Sequence, residues 1–185
     1  EKLLERFRLI AIDRPGYGYS GFGKTLRITE QALLIAKLLD TISNNQPVYI
    51  VGHSMGAPVT VAITTLRPLM VKGIVLAGGA LDPMQEKVAA WRKIFMIPPL
   101  KYALPGGIRP ANREMFYLKD DLHSVQSKYS QVNCPVFLVH AKDDRVVSFR
   151  QTKYAGKHFT NAEQVKLISY DKGGHFVPTR KFKEF

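Results

Sequence analysis

The chain has 185 residues, 45% of them hydrophobic and 23% charged, with a formal net charge of +12. That length and balance suit one globular domain with a sizeable core and exclude the disordered and fibrous classes. No run of about 18 apolar residues occurs, so no helix within these residues is expected to span a bilayer. The cations of the last third, among them Lys153, Lys166, Lys172 and Arg180, are scattered without interleaved aromatics, and no nucleic-acid partner is expected.

In chain order, short apolar runs alternate with helix-period segments, the pattern of a mostly parallel sheet flanked by helices. The opening residues, Glu1 to Arg6, include no initiator methionine and no signal-type apolar stretch, so the true start is expected upstream and localisation stays open. Residues 7–12 read as a first strand, followed by the Gly/Pro loop Asp13-Arg14-Pro15-Gly16-Tyr17-Gly18-Tyr19-Ser20. Ile28, Ala32, Ile35, Leu39 and Ile42 recur at helical spacing and predict an amphipathic helix over about 29–43, stopped by Asn44-Asn45-Gln46-Pro47. Residues 48–51 form a second strand, and the segment after Ser54 a helix ending near Pro68. Further strands are expected at 73–78, 135–140 and 163–169.

Between the third and fourth strands lie about fifty residues, 82–133, with Trp91, Phe95, Met96, Pro98-Pro99, Tyr102 and Pro105-Gly106-Gly107. Segments this long between elements of a compact domain are usually functional or fold on themselves, and this one reads as an inserted cap within a single domain, 1–185. The lone Cys134 cannot form an internal disulfide and reads as a small buried hydrophobe.

The most informative stretch is Gly52-His53-Ser54-Met55-Gly56, between a strand and a helix. A serine on a sharp turn between such elements has the form of a nucleophile elbow, in which the residues two before and two after must be nearly free of side chain. Serine is a weak nucleophile at its own pKa and needs a base, which in turn needs an orienting carboxylate. Asp144 follows the fourth strand and His175, behind Gly173-Gly174, follows the fifth; carboxyl ends of parallel strands share one edge, so Ser54, Asp144 and His175 should converge. Asp143 is adjacent to Asp144, and spacing alone leaves either as the acid. His53, His123, His140 and His158 compete with His175, a lone histidine being more often surface or core filler. None has metal-ligand spacing to another, so neither metal nor cofactor is expected.

The order Ser, Asp, His, together with the elbow, resembles the α/β-hydrolase superfamily. The 13–20 loop is similar to that family's D-x-P-G-x-G-x-S segment, Asp144-Arg145-Val146-Val147 to its acid loop and Gly174-His175-Phe176 to its histidine loop. The resemblance implies Ser54 as nucleophile, His175 as general base and acid, Asp144 as orienter in preference to Asp143, and a cap over the site. It also implies that the backbone N–H of Met55 holds the oxyanion. Trp91, Phe95 and Phe176 are candidates for the substrate pocket. Set against the family, the early strands and the second oxyanion loop do not precede Phe7, so a fragment incomplete at its N-terminus is expected. The leading function is hydrolysis of a small-molecule ester, less favourably an amide or thioester. The serine argues against dehalogenases and epoxide hydrolases of that fold, which use aspartate at the elbow. The alternative is a binding or receptor module that keeps the pocket without turnover; nothing in the sequence fixes the oligomeric state.

Overall fold

The computed structural model describes residues 5–21 and 25–181. Its centre is a four-stranded, all-parallel sheet, β1 Val48–His53, β2 Val71–Ala77, β3 Val136–Ala141 and β4 Val165–Tyr170, in the order β1-β2-β3-β4. Register runs Val51 to Val75, Leu76 to Leu138 and Val139 to Ile168. Parallel neighbours require crossover connections: α2 Gly56–Leu66 joins β1 to β2, α3 Ala90–Ile94 and α4 Ile108–Gln126 lie between β2 and β3, and α5 Phe149–His158 joins β3 to β4, with α1 Ile28–Ile42 ahead of the sheet and α6 Val177–Arg180 behind it. No helix among the described residues is long and apolar enough to cross a membrane.

Side chains of a strand alternate between faces, and here the two faces differ. Ile74, Leu76, Val136 and Leu138 point into the main core with Ala32, Ile35 and Leu39 of α1 and Val59, Ala62 and Ile63 of α2. On the other face Val139, Ala141 and Val177 of α6 form a smaller cluster. Tyr49 and Val51 of β1, which share that second face, are more than 60% exposed.

Two sequence expectations need correcting. Residues 7–12 form no strand: the segment has no ladder partner among the described residues, and Phe7, Leu9 and Ile10 lie exposed. Only Ile12 packs on the core, while the Phe7 ring meets Tyr49 edge-on at 6.1 Å. An apolar run becomes a strand only when a neighbour takes its N–H and C=O groups, and this one has none. Among the described residues the edge of the sheet on that side is therefore β1.

The second correction concerns 82–133, which is not uniform. Leu118, Leu122 and Val125 of α4, then Tyr129 and Val132, belong to the main core, whereas no residue from 84 to 107 is buried. The 13–20 loop is tied to α4 through buried Glu114, which accepts hydrogen bonds from Arg14 Nη1 (2.7 Å) and Nη2 (3.0 Å), Tyr17 Oη (2.6 Å) and Gln31 Nε2 (2.8 Å). A buried carboxylate is tolerated when its acceptor sites are filled in this way.

Candidate active site

The carboxyl ends of β1, β3 and β4 bring three distant side chains together. Ser54 follows β1 on a turn with φ of +53°, a left-handed value that costs a non-glycine residue about 1–3 kcal/mol and is tolerated where the surroundings enforce it. Three backbone bonds hold it here: Ser54 N–H donates to Ala77 C=O at the end of β2 (3.0 Å), and Ser54 C=O accepts from Ala57 N–H (3.1 Å) and Ala80 N–H (3.4 Å). The elbow's two glycines are not equivalent. A Cβ on Gly52 would lie 2.5 Å from Thr60 Oγ1 and 2.6 Å from Gly56 C=O, whereas one on Gly56 would meet nothing within 4 Å. Only the first is required by space, which corrects the symmetrical expectation.

His175 Nε2 lies 3.0 Å from Ser54 Oγ, and His175 Nδ1 lies 2.9 Å from Asp144 Oδ2. With Nδ1–H donating to the carboxylate, Nε2 is left to accept from the serine hydroxyl. Asp144 sits in a turn that encloses it, its Oδ1 accepting from the N–H groups of Val146 (2.8 Å) and Val147 (2.9 Å). Burial pushes this carboxyl up, but the bonds from Val147, His175 and Val146, together with the charge of His175, outweigh it and hold the group below the usual carboxylate range.

Asp143 does a different job. Its Oδ1 accepts from Gly173 N–H (3.0 Å) and Gly174 N–H (2.8 Å), latching the loop that carries His175. A Cβ on Gly173 would lie 2.7 Å from Val177 Cγ2 and would push that side chain aside. On the other side, His53 Nε2–H donates to His175 C=O at 2.8 Å and the two rings pack 4.8 Å apart. Phe176 leans on both histidines, at 5.6 and 5.9 Å, and is more than half exposed.

Met55 starts the turn into α2, and among the described residues no backbone carbonyl accepts from its N–H. An unclaimed donor at a helix N-terminus beside Ser54 suits a developing negative charge. Trp91 and Phe95 are not drawn to the triad residues: they meet each other at 6.1 Å, and no ring contact or hydrogen bond joins them to Ser54, Asp144 or His175. A cleft of about 650 Å³ flanks the acid loop, lined by Glu86, Met115, Arg145, Val146 and Phe149 among others.

One residue at this edge was passed over as filler. His140, the penultimate residue of β3, is fully buried; its Nε2–H donates to Asp144 Oδ2 (3.1 Å) and Val147 C=O (3.0 Å), while Nδ1 faces Thr152 Oγ1 of α5. The signal in the sequence was a titratable side chain at the end of an otherwise apolar run, four positions before an aspartate.

The geometry has counterparts among known proteins. A family model described as alpha/beta hydrolase fold matches residues 1–103. Haloalkane dehalogenase 2 of Mycobacterium tuberculosis is 30% identical over 107 residues, 55% of this chain and 36% of that protein. Lysophosphatidylserine lipase ABHD12 of Danio rerio is 26% identical over 178 residues, 93% of this chain and 44% of that protein. The chain thus spans less than half the length of these curated relatives. Among solved structures, a monoacylglycerol lipase of Paleococcus ferrophilus aligns with a TM-score of 0.65 at 14% identity, covering 87% of this chain and 72% of that one. A thermophilic esterase of Thermogutta terrifontis aligns at 0.66 and 15% identity, covering 92% and 74%. With the family model matching more than half of its residues, and with a parallel sheet carrying a serine elbow, this chain belongs to the α/β-hydrolase-fold family.

Proposed function

We propose that this chain carries the catalytic centre of a serine hydrolase that cleaves a carboxylic ester of a small molecule, with amides and thioesters as less favoured substrates. The observation that carries the reading is the unbroken hydrogen-bond run from Ser54 Oγ through His175 to Asp144, at 3.0 and 2.9 Å. Ser54 Oγ attacks the carbonyl carbon as His175 Nε2 takes its proton, and Asp144 stabilises the imidazolium. The Met55 N–H donates to the oxyanion, a contribution of about 2.7–4 kcal/mol for a donor in that position. Collapse of the tetrahedral adduct expels the alkoxide, which leaves with the proton from His175. Water then gives a proton to His175 and attacks the acyl-Ser54 ester, and a second collapse releases the carboxylic acid and returns the proton to Ser54 Oγ.

The similarity to a dehalogenase does not extend to its reaction. Displacement of halide by a serine hydroxyl would leave an ether, which has no carbonyl for a histidine-activated water to attack. An acyl group on Ser54 has one. The names lipase and esterase among the other relatives agree with acyl transfer. We assign the cap role to the first half of the insert, with Trp91, Phe95 and Phe176 in contact with substrate.

The test is covalent labelling of the full chain by a fluorophosphonate. Ser54 should be modified and Ser54→Ala should not; an unlabelled wild type overturns the reading.

A further inference from the structure

We infer that His140 is a positioning residue for the triad acid: Thr152 holds it in a single neutral tautomer whose Nε2–H pins the same Asp144 oxygen that receives His175. The inference rests on the hydrolase reading above and adds a residue to it.

Burying an imidazole at the end of β3 is costly unless both ring nitrogens are paired, a demand that an apolar side chain in that position would not make. What distinguishes His140 from a merely satisfied core histidine is where its bond falls. Asp144 Oδ1 is already held by two backbone N–H groups, those of Val146 and Val147. Oδ2 has no backbone donor; its partners are His175 Nδ1 at 2.9 Å and His140 Nε2 at 3.1 Å. Without His140 the one bond left on Oδ2 would be that of His175, the ring whose direction the carboxylate has to set. With it, both oxygens are fixed and the direction of the His175 ring is set, an arrangement in which small displacements cost rate.

The tautomer follows from the partners. Nε2 faces two acceptors, Asp144 Oδ2 and Val147 C=O, and so must carry the proton; Nδ1 is left to accept from the Thr152 hydroxyl. The charged groups acting on His140 are Asp144 and His175, and its remaining neighbours are neutral: Val147 C=O, the Thr152 hydroxyl and the Phe149 ring at 5.6 Å. Burial depresses its pKa more than Asp144 and Val147 raise it, so it stays uncharged and donates without competing for the proton that His175 must carry. His140 also draws part of the carboxylate's charge away from His175. Removing it leaves that charge facing His175 alone and favours the imidazolium.

The full chain carrying His140→Leu should therefore lose about ten- to a hundredfold in kcat with KM within about twofold. The acid limb of its kcat/KM profile should move to higher pH, and His140→Gln should recover most of the loss by restoring a donor. A folded His140→Leu enzyme with wild-type kcat and an unmoved acid limb overturns the proposal. Should the leucine variant not fold, nitrogen-15 histidine spectra of the wild type decide it. A neutral His140 protonated on Nε2 from pH 8 to 5.5 supports the role; an Nδ1–H tautomer or an imidazolium at pH 7 removes it. Failure of the wild type to take the fluorophosphonate is a different result, overturning the hydrolase reading and with it any part for His140 in the reaction.

Discussion

Around Asp144, four donors meet two carboxylate oxygens, and Asp144, His140 and Thr152 are all buried. Some fifty residues earlier in the chain, from Met84 to Gly107, no residue is buried, and Trp91, Ile94, Ile97, Leu100 and Tyr102 are between 44% and 60% exposed. The first region is over-determined: elements far apart in sequence each hold the same few atoms. The second is held to the rest by a few polar ties. Gln151 Oε1 accepts from both Leu81 N–H and Asp82 N–H at 2.6 Å, and Asn112 of α4 bonds Arg92. The division suits an enzyme in which reacting groups are pre-set while the surface that selects substrate stays adaptable. It also says where substitutions should hurt.

The largest effect on stability should come from Gly52→Ala. The added Cβ meets Thr60 Oγ1 and two backbone atoms of α2 at under 3 Å, and backbone cannot step aside without moving the elbow. A loss of about 1–3 kcal/mol is expected in urea titration, as for overpacking elsewhere. Gly56→Ala, with open space around its Cβ, should stay within about 0.5 kcal/mol of wild type. Equal losses from the two substitutions would mean that the turn is not the rigid part of the comparison.

A smaller effect should come from acid. His140 is held below its ordinary pKa by burial, so the unfolded chain binds a proton that the folded chain refuses. The sign follows: its contribution is fully present above the unfolded value, near 6.5, and is lost as pH falls through that value toward the folded one. The slope from one such proton is at most about 1.4 kcal/mol per pH unit. Between pH 7.5 and 6 the unfolding midpoint of wild type should fall more steeply than that of His140→Gln, which has no such proton. Glu86 and Asp121 are pushed up by burial and act in the opposite sense, but they do so in wild type and variant alike and cancel in the comparison. Parallel profiles would show that His140 is not held neutral by the fold.

How much of this could be read beforehand depended on whether a residue's partners were near it in sequence or were fixed by strand order. The elbow, Asp144 and His175 were legible because parallel strands deliver their carboxyl ends to one edge, whatever the distance along the chain. Choosing Asp144 over Asp143 required the resemblance to the α/β-hydrolases; the geometry now separates them, one bonded to the His175 ring and the other to the Gly173-Gly174 backbone. His140 was missed because its partners, Thr152 on α5 and the far oxygen of Asp144, exist only once β3, the acid loop and α5 have packed. The run 7–12 has a strand's composition but no neighbour, and composition cannot supply one. Leu118, Leu122, Val125 and Tyr129 recur at helical spacing, a core-facing pattern that reading 82–133 as one cap passed over.

A small effect on stability is also expected of Trp91→Ala, and it tests the other side of the comparison. The ring is 47% exposed, touches Phe95 edge-on and has the Arg92 guanidinium 4.5 Å above it. Such contacts at a surface are worth under about 1 kcal/mol, so the urea midpoint should barely move. If the segment around Trp91 selects substrate, the change should appear in kinetics across a series of esters of increasing acyl length. KM for the longer acyl groups should rise several-fold while kcat for the shortest stays near wild type, because truncating a distant contact removes binding common to ground and transition states. A Trp91→Ala enzyme that loses kcat equally for every ester would instead tie this segment to the geometry of the reacting groups, and the division between a fixed edge and an adaptable insert would fail.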